Sequence, residues 1–180
     1  MRVIAGTLGG RTIRAPQGRG TRPTSDRVRE AIFSMLGDLG GAHVLDLFAG
    51  SGALAIEAIS RGAAHAVMVE CDAGAARVIR ANLDALGLDG DAAEVRRTDA
   101  LAALRSALAA QETYDLLFID PPYERARDLA AGLSANLPAV IAPGGRVVVE
   151  SDRRSPMALD MPVDRERRYG DTSITIHILR

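Results

Sequence analysis

Two kinds of hydrophobic pattern alternate along the chain from residue 43 onward. Short apolar runs of strand length are separated by longer segments in which apolar positions recur at helical spacing. The apolar runs predict strands at 43–48, 65–70, 93–97, 114–120 and 146–151. The segments between them predict helices near 53–61, 73–86, 100–110 and 125–136. This order predicts right-handed crossovers and a doubly wound, mostly parallel sheet.

The helical spacing stops after residue 151. Residues 165–169 and 172–179 predict an antiparallel hairpin around Gly170 and Asp171 that closes one edge of the sheet. The sheet then has seven strands. We therefore expect an α/β, Rossmann-like domain over residues 37–180.

The first 36 residues follow a different pattern. Residues 2–15 alternate around Gly9 and Gly10, which predicts a small β-hairpin, and a Gly/Pro loop follows at 16–23. Thr24 or Ser25 can cap a helix that ends near Leu36, with one apolar stripe along it. We expect residues 1–36 to form a separate extension of the domain.

Charge is unevenly placed, although the net charge of the 180 residues is only −1. Seven arginines precede residue 31, against the two acids Asp26 and Glu30. We call residues 1–30 the basic arm. Such a cluster of arginines is typical of phosphate binding; the alternative is a solvated surface segment without a binding role. The candidate phosphate contacts are Arg11, Arg14, Arg19 and Arg22.

Composition narrows the classes of protein further. Hydrophobic residues make up 47% of the chain, but none of the apolar runs has the length of a membrane helix, so we expect a cytoplasmic globular protein. Cys71 is the single cysteine and the three histidines are scattered, so we expect neither an internal disulfide nor a metal site.

The strand predicted at 114–120 ends in the sequence Asp120-Pro121-Pro122-Tyr123. Prolines cannot continue a strand, so a carboxylate, a stiff turn and an aromatic ring meet at the carboxyl end of the strand, where open parallel sheets bind ligands. Asp120 and a proline carbonyl can accept hydrogen bonds from an amino group, and Tyr123 can stack on a base. The alternative is an ordinary turn after a strand.

A glycine loop follows the first predicted strand, in the series Asp46-Leu47-Phe48-Ala49-Gly50-Ser51-Gly52. Such a loop lets a ligand lie against the backbone and the end of the next helix. It also fits the dinucleotide fingerprint, with Glu70 placed to hold ribose hydroxyls, so a nicotinamide oxidoreductase is an alternative.

Two acids favour a different cofactor. Asp46 would sit poorly beside a pyrophosphate, but it can hold the ammonium of a methionine-like group. Asp99, after the third predicted strand, can accept from an adenine amine. Each has a structural alternative, since Asp46 can cap the turn and Asp99 can cap the following helix.

The series DLFAGSG, Glu70, Asp99 and DPPY resembles the S-adenosylmethionine-dependent methyltransferases that act on amino groups. The segments RVIAGTLGGRTI, TRPTSDRVREAIFSML and DLFAGSGALAIEAISRGA are similar to those of bacterial 16S ribosomal RNA guanine-N2 methyltransferases of the RsmD type. The DPPY motif is shared with adenine-N6 enzymes, so the amino-terminal segments narrow the resemblance to guanine.

The resemblance implies S-adenosylmethionine as cofactor and a guanine N2 amine of 16S ribosomal RNA as substrate. It implies a monomer that acts on free RNA or on an assembling small ribosomal subunit. The remaining alternatives are adenine-N6 methylation of DNA or RNA, and an RNA-binding module without catalysis. The implied catalytic residues are Asp120, Pro121, Pro122 and Tyr123.

The cofactor contacts implied by the resemblance lie in four stretches of the chain. The methionine part would meet Gly50 and Gly52, with Asp46 and Phe48 beside it, and its carboxylate would meet Thr24. The ribose would bind Glu70. The adenine would be flanked by Cys71 and would meet Asp99 and Ala100 at its edge.

Overall fold

A computed structural model describes residues 1–16, 25–122 and 125–179. Its helices are α1 Asp26–Leu36, α2 Ala53–Ser60, α3 Ala73–Leu86, α4 Ala100–Ala109 and α5 Ala126–Asn136. Its strands are β1 His43–Asp46, β2 His65–Val69, β3 Ala93–Arg96, β4 Tyr114–Ile119, β5 Ile141–Asp152, β6 Val163–Tyr169 and β7 Thr172–Ile178. A short 3-10 helix, Leu137–Ala139, joins α5 to β5.

The strands form one seven-stranded sheet in the order β3-β2-β1-β4-β5-β7-β6. Strands β1 to β5 pair in parallel, and β7 pairs antiparallel with both β5 and β6. The predicted doubly wound sheet and its closing hairpin are therefore confirmed. β5 begins five residues earlier than predicted, at Ile141, and Tyr114 of β4 pairs with it before a register shift.

Helices cover both faces of the sheet. Helices α1, α2 and α3 pack on one face with Val44, Leu116 and Phe118, whereas α4 and α5 pack on the other with Leu45 and Leu117. Successive residues of each strand point to opposite faces, which explains why the two cores divide the strands in this way. Both faces are therefore buried along most of β1, β2 and β4, whereas β6 is exposed, and the strand ends and loops of this central part are open to a ligand.

Helix α1 begins at Asp26 because Ser25 is its N-cap: the Ser25 hydroxyl accepts the Val28 N–H at 3.3 Å. The Phe33 ring packs against the Phe118 ring with centroids 5.8 Å apart, and this contact fixes α1 to β4. The other predicted cap, Thr24, lies outside the described residues.

The predicted amino-terminal hairpin is smaller than expected. Only Arg2 and Thr12 pair as a bridge, and the chain reverses through turns at residues 5–10 instead of at Gly9 and Gly10 alone. The reason is that α2 takes the backbone groups that a longer ladder would use. Glu57 accepts the N–H groups of Ile4 and Ala5 at 2.7 and 3.0 Å.

Ser60 completes this attachment. Its hydroxyl accepts the Leu8 N–H at 2.9 Å, and its carbonyl accepts the Thr7 N–H at 2.7 Å. The close approach requires glycine at position 6, where φ is +82° and a Cβ atom would lie 1.8 Å from the Ser60 carbonyl oxygen. Residues 4–8 are thus held against α2 by specific hydrogen bonds.

The amino-terminal residues share a core with the sheet: Val3, Ile13 and Ile32 are buried in the same cluster as Val44. The division into residues 1–36 and 37–180 stays a prediction. Within the described ranges, none of the helices is long and apolar enough to cross a membrane.

We expect Glu57→Gln to lower the free energy of unfolding by about 1–3 kcal/mol, because an amide leaves one buried backbone N–H without its acceptor. The substitution also removes the charge that pairs with Arg61 at 2.7 Å. Urea denaturation measures the effect, with Glu30→Gln as the matched control because Glu30 is an exposed glutamate of α1. Equal effects of the two substitutions would contradict the anchoring role of Glu57.

Candidate active site

The described cofactor and catalytic candidates outside the basic arm lie where the parallel strands end, at the carboxyl edge of the sheet. Backbone hydrogen bonds continue past the strands: Leu47 donates to Phe118 at 3.1 Å, and Ala49 donates to Val69 at 3.0 Å. These bonds hold the loop after β1 between the ends of β4 and β2. Asp46 pairs in register with Phe118 of the neighbouring strand β4. Asp120 comes two residues after Phe118, directly after β4 ends.

Asp46 is the more deeply buried of two buried acids that the structure describes at this edge: 1% of its surface is exposed, against 7% for Glu150 of β5. Its Oδ1 atom accepts the Phe48 N–H at 3.3 Å, and its Oδ2 atom has no hydrogen-bond partner in the described part of the chain. Burial is the main cause that raises the pKa of Asp46 to about 7; the charge of Glu70 contributes to the rise, and the N–H groups of Phe48 and Ala55 oppose it. A buried carboxylate with a vacant acceptor favours a cationic partner.

The two glycines of the loop have different surroundings. Both have positive φ, +55° at Gly50 and +80° at Gly52. A Cβ atom at Gly52 would lie 3.2 Å from both Ile56 and Met68, so Gly52 lets α2 pack closely on the core. Among the residues that the structure describes, a Cβ atom at Gly50 would meet only the Phe48 carbonyl, at 4.0 Å, so these residues leave open space beside Gly50.

Glu70 connects the glycine loop to the end of β2. Its two carboxylate oxygens accept the Gly50 N–H at 2.9 Å and the Asp72 N–H at 2.8 Å. A carboxylate can accept about four hydrogen bonds, so Glu70 retains capacity for ribose hydroxyls. The next residue, Cys71, is exposed. Partial burial of its sulfur, together with the neighbouring Glu70, nevertheless raises the pKa of the thiol.

Asp99 caps α4 by accepting the Ala102 N–H at 3.0 Å, as its structural alternative predicts. Its side chain is exposed, while Ala100 is buried at 5% exposure. Capping uses one oxygen of the carboxylate, so this role is compatible with an adenine contact by the other oxygen.

The Asp-Pro-Pro turn follows β4 directly. Asp120 is half-buried, Pro121 is buried and Pro122 is exposed. The Pro122 carbonyl accepts the Arg125 N–H at 2.9 Å, which starts the turn into α5. The predicted stacking residue Tyr123 lies outside the described residues, like Thr24.

The basic arm lies against α3. The Arg11 guanidinium donates to the Ala85 carbonyl at 2.8 Å, and the main chain of Arg14 is bonded to Asn82. Both arginines are exposed. The other two candidates, Arg19 and Arg22, fall outside the ranges that the structure describes.

Sequence reasoning missed the polar residues that attach the arm. Glu57 and Asn82 are almost fully buried, although both lie on helices whose neighbouring positions are apolar. Arg29 is also buried; its Nη2 atom donates to the Arg2 carbonyl and to Asp26, each at 2.7 Å. The available signal was a polar residue on the apolar face of a helix, because such a residue must find a partner when buried.

Comparisons with known proteins identify the family. A sequence model of the family described as Conserved hypothetical protein 95 matches residues 1–178. The Bacillus subtilis protein YlbH, provisionally named an rRNA methyltransferase, is 38% identical over 181 residues, which cover 98% of each chain. Ribosomal RNA small subunit methyltransferase D of Escherichia coli is 40% identical over 127 residues, which cover 69% of this chain and 61% of that protein. The chain belongs to this RsmD-type family.

The solved structures agree with this assignment. The Escherichia coli protein yhhF, provisionally named a methyltransferase, has 32% identity and a TM-score of 0.81, over 100% of this chain and 98% of that one. The resemblance to RsmD-type methyltransferases and the Rossmann-like fold are therefore confirmed. The nicotinamide oxidoreductase has no support among these relatives.

The buried Asp46 carboxylate predicts a pH dependence of folding. Between about pH 4 and pH 7 the folded protein holds a proton that the unfolded chain has lost, so the free energy of unfolding falls as the pH rises. The slope within this window is about 1.4 kcal/mol per pH unit at most, and the cost is complete above pH 7. We expect Asp46→Asn to remove this contribution.

The measurement is urea denaturation of both proteins, without added ligand, at several pH values from about 4 to about 8. Groups distant from Asp46 titrate identically in the two proteins, so the difference between their curves isolates Asp46 together with its interaction with Glu70. Parallel curves would show that Asp46 titrates near its ordinary pKa in the folded state.

Proposed function

We propose that the protein transfers a methyl group from S-adenosylmethionine to the exocyclic N2 amine of a guanine in 16S ribosomal RNA. The observation that carries this proposal is the position of Asp46: a buried carboxylate with a vacant oxygen lies beneath the glycine loop, on the strand next to Asp120-Pro121-Pro122. The names of the relatives support ribosomal RNA as the substrate. The choice of guanine rests on the resemblance of residues 2–36.

The acids at the strand ends suit the polar groups of this cofactor. Asp46 would hold the methionine ammonium, Glu70 the ribose hydroxyls and Asp99 the adenine amine. Gly50 leaves the space in which the methionine part would lie, with Phe48 beside it, while Gly52 lets the loop pack closely against Ile56 and Met68. When bound, S-adenosylmethionine supplies an electrophilic methyl group.

The remaining cofactor contacts are proposed from the resemblance. Cys71 and Ala100 would border the adenine, and Thr24 would meet the methionine carboxylate. Cys71 is exposed, so its side chain is accessible to a flat ring, and Ala100 is the first residue of the helix that Asp99 caps.

Asp120 and the Pro121 carbonyl would prepare the nucleophile. An aryl amine is a poor nucleophile because its lone pair is delocalised into the ring. Two acceptors that bind its N–H groups favour a pyramidal nitrogen, with the lone pair directed away from the ring. Pro122 stiffens the turn that holds both acceptors, and Tyr123 would stack on the base, a contact worth about 1–3 kcal/mol.

The basic arm would bind RNA phosphates through Arg11, Arg14, Arg19 and Arg22. Phosphate contacts position the RNA and make its binding sensitive to salt. The target base must leave its helix to reach Asp120, as in other enzymes that act on bases. We propose that the protein acts as a monomer in the cytoplasm, on free RNA or on an assembling small ribosomal subunit.

Labelled methyl transfer to ribosomal RNA from a strain that lacks this protein tests the proposal. We expect wild type to form N2-methylguanosine, identified by nucleoside analysis. Asp120→Ala should lower the rate by about 100-fold or more, because the amine loses an acceptor at the reacting atom, while S-adenosylmethionine still binds. Calorimetry checks the retained binding.

Asp164→Ala is the matched control, since Asp164 is an exposed aspartate of the edge strand β6, and its rate should equal that of wild type. Formation of N6-methyladenosine instead would favour the adenine alternative. Unchanged turnover in Asp120→Ala would remove the catalytic assignment.

A further inference from the structure

Asn82 joins the glycine loop to the basic arm. It lies on α3 with 2% of its surface exposed, and its carboxamide bonds to both segments. The Oδ1 atom accepts the Arg14 N–H at 2.8 Å. The Nδ2 atom donates to the Arg14 carbonyl and to the Ser51 carbonyl, each at 2.9 Å. One buried side chain thus holds the main chain of an arm residue and the main chain of the loop.

Ser51 belongs to the glycine loop, against which the cofactor would lie. Ser51 stands between Gly50 and Gly52, and the Gly50 N–H is bonded to Glu70 at 2.9 Å. The Ser51 hydroxyl also contacts the arm, because it donates to the Met1 sulfur at 3.3 Å. A ligand that fixes the loop from its open side would therefore fix the carbonyl to which Asn82 donates.

The other hydrogen bonds of the arm reach different places. Glu57 and Ser60 on α2 hold residues 4–8, and Arg11 donates to the Ala85 carbonyl near the end of α3. These bonds attach the arm to helices, whereas Asn82 and Met1 attach it to the glycine loop. Removal of Asn82 should therefore loosen the loop from Arg14 while the other attachments remain.

We propose that Asn82 is a positioning residue that couples the cofactor loop to the RNA-binding arm. This inference rests on the proposed function and deepens it, because it assigns a connection between the two binding events. Cofactor binding restrains the loop, the restraint passes through the Ser51 carbonyl and Asn82 to the main chain of Arg14, and RNA then meets an Arg14 whose main chain is held more tightly. Coupling of binding free energies is reciprocal, so RNA strengthens cofactor binding by the same factor.

Arg14 provides a matched variant, because Asn82 bonds only to its main chain. Arg14→Ala removes a charge from the arm and keeps all the Asn82 bonds. Asn82→Ala keeps the charge and breaks the junction. The two substitutions therefore separate phosphate binding from coupling.

The test measures the dissociation constant of unmethylated ribosomal RNA with and without saturating S-adenosylhomocysteine, which cannot transfer a methyl group. In wild type we expect the ligand to tighten RNA binding at least about fivefold. Arg14→Ala should bind RNA more weakly in both states, with the wild-type coupling factor. Asn82→Ala should lower that factor to about one.

A coupling factor of one in wild type, or an unchanged factor in Asn82→Ala, would overturn the inference. The factor is measured without methyl transfer, so it is independent of which base is methylated. If wild type bound no S-adenosylhomocysteine at all, the proposed function and this inference would both be wrong. If wild type methylated guanine and Asn82→Ala kept the factor, only this inference would fail.

Amide hydrogen exchange of wild type tests the same coupling without a substitution. We expect S-adenosylhomocysteine to slow exchange of the Gly50 N–H and, through Asn82, of the Arg14 N–H. Slower exchange in the loop with unchanged exchange at Arg14 would contradict the coupling, even if Asn82→Ala fails to fold.

Discussion

The burial of one carboxylate at the end of β1 is the constraint on which the site depends. Asp46 ends a short strand between β2 and β4, so its side chain is enclosed by the sheet and by the glycine loop that follows. A charge in that position is costly unless a cation pairs with it. Burial raises its pKa to about 7, so the carboxylate is only partly ionised near neutral pH. The ammonium group of the proposed cofactor would offset this cost. Asp46 would therefore destabilise the free protein and bind the cofactor.

The basic arm is attached next to the candidate cofactor site. Glu57, Ser60 and Asn82 each bind main-chain groups of residues 4–14, and their helices flank the glycine loop. Contacts to the main chain leave the arginine side chains exposed for phosphate. The proposed RNA-binding and cofactor-binding segments are therefore both attached to helices α2 and α3, although they are separate in the sequence.

Much of the fold and the site's location follow from local patterns. Alternating strands and helices predicted the sheet, and two acids marked strand ends: Asp46, before the glycine loop, and Asp120, before two prolines. The strand ends of β1 and β5 and the small amino-terminal bridge were missed because they depend on tertiary partners: Glu57 and Ser60 take backbone groups that the hairpin pattern assigned to a ladder. Asn82 was missed for the same reason, since its partners are about 30 and 70 residues distant in sequence.

The side-chain carboxyl of Asp46, followed by carbon-13 NMR during a pH titration, tests the central claim most directly. Without ligand we predict a pKa of about 7. With saturating S-adenosylhomocysteine we predict a clear decrease, because the ligand ammonium stabilises the charged carboxylate. An ordinary aspartate pKa in the free protein, or a pKa that the ligand leaves unchanged, would contradict the account.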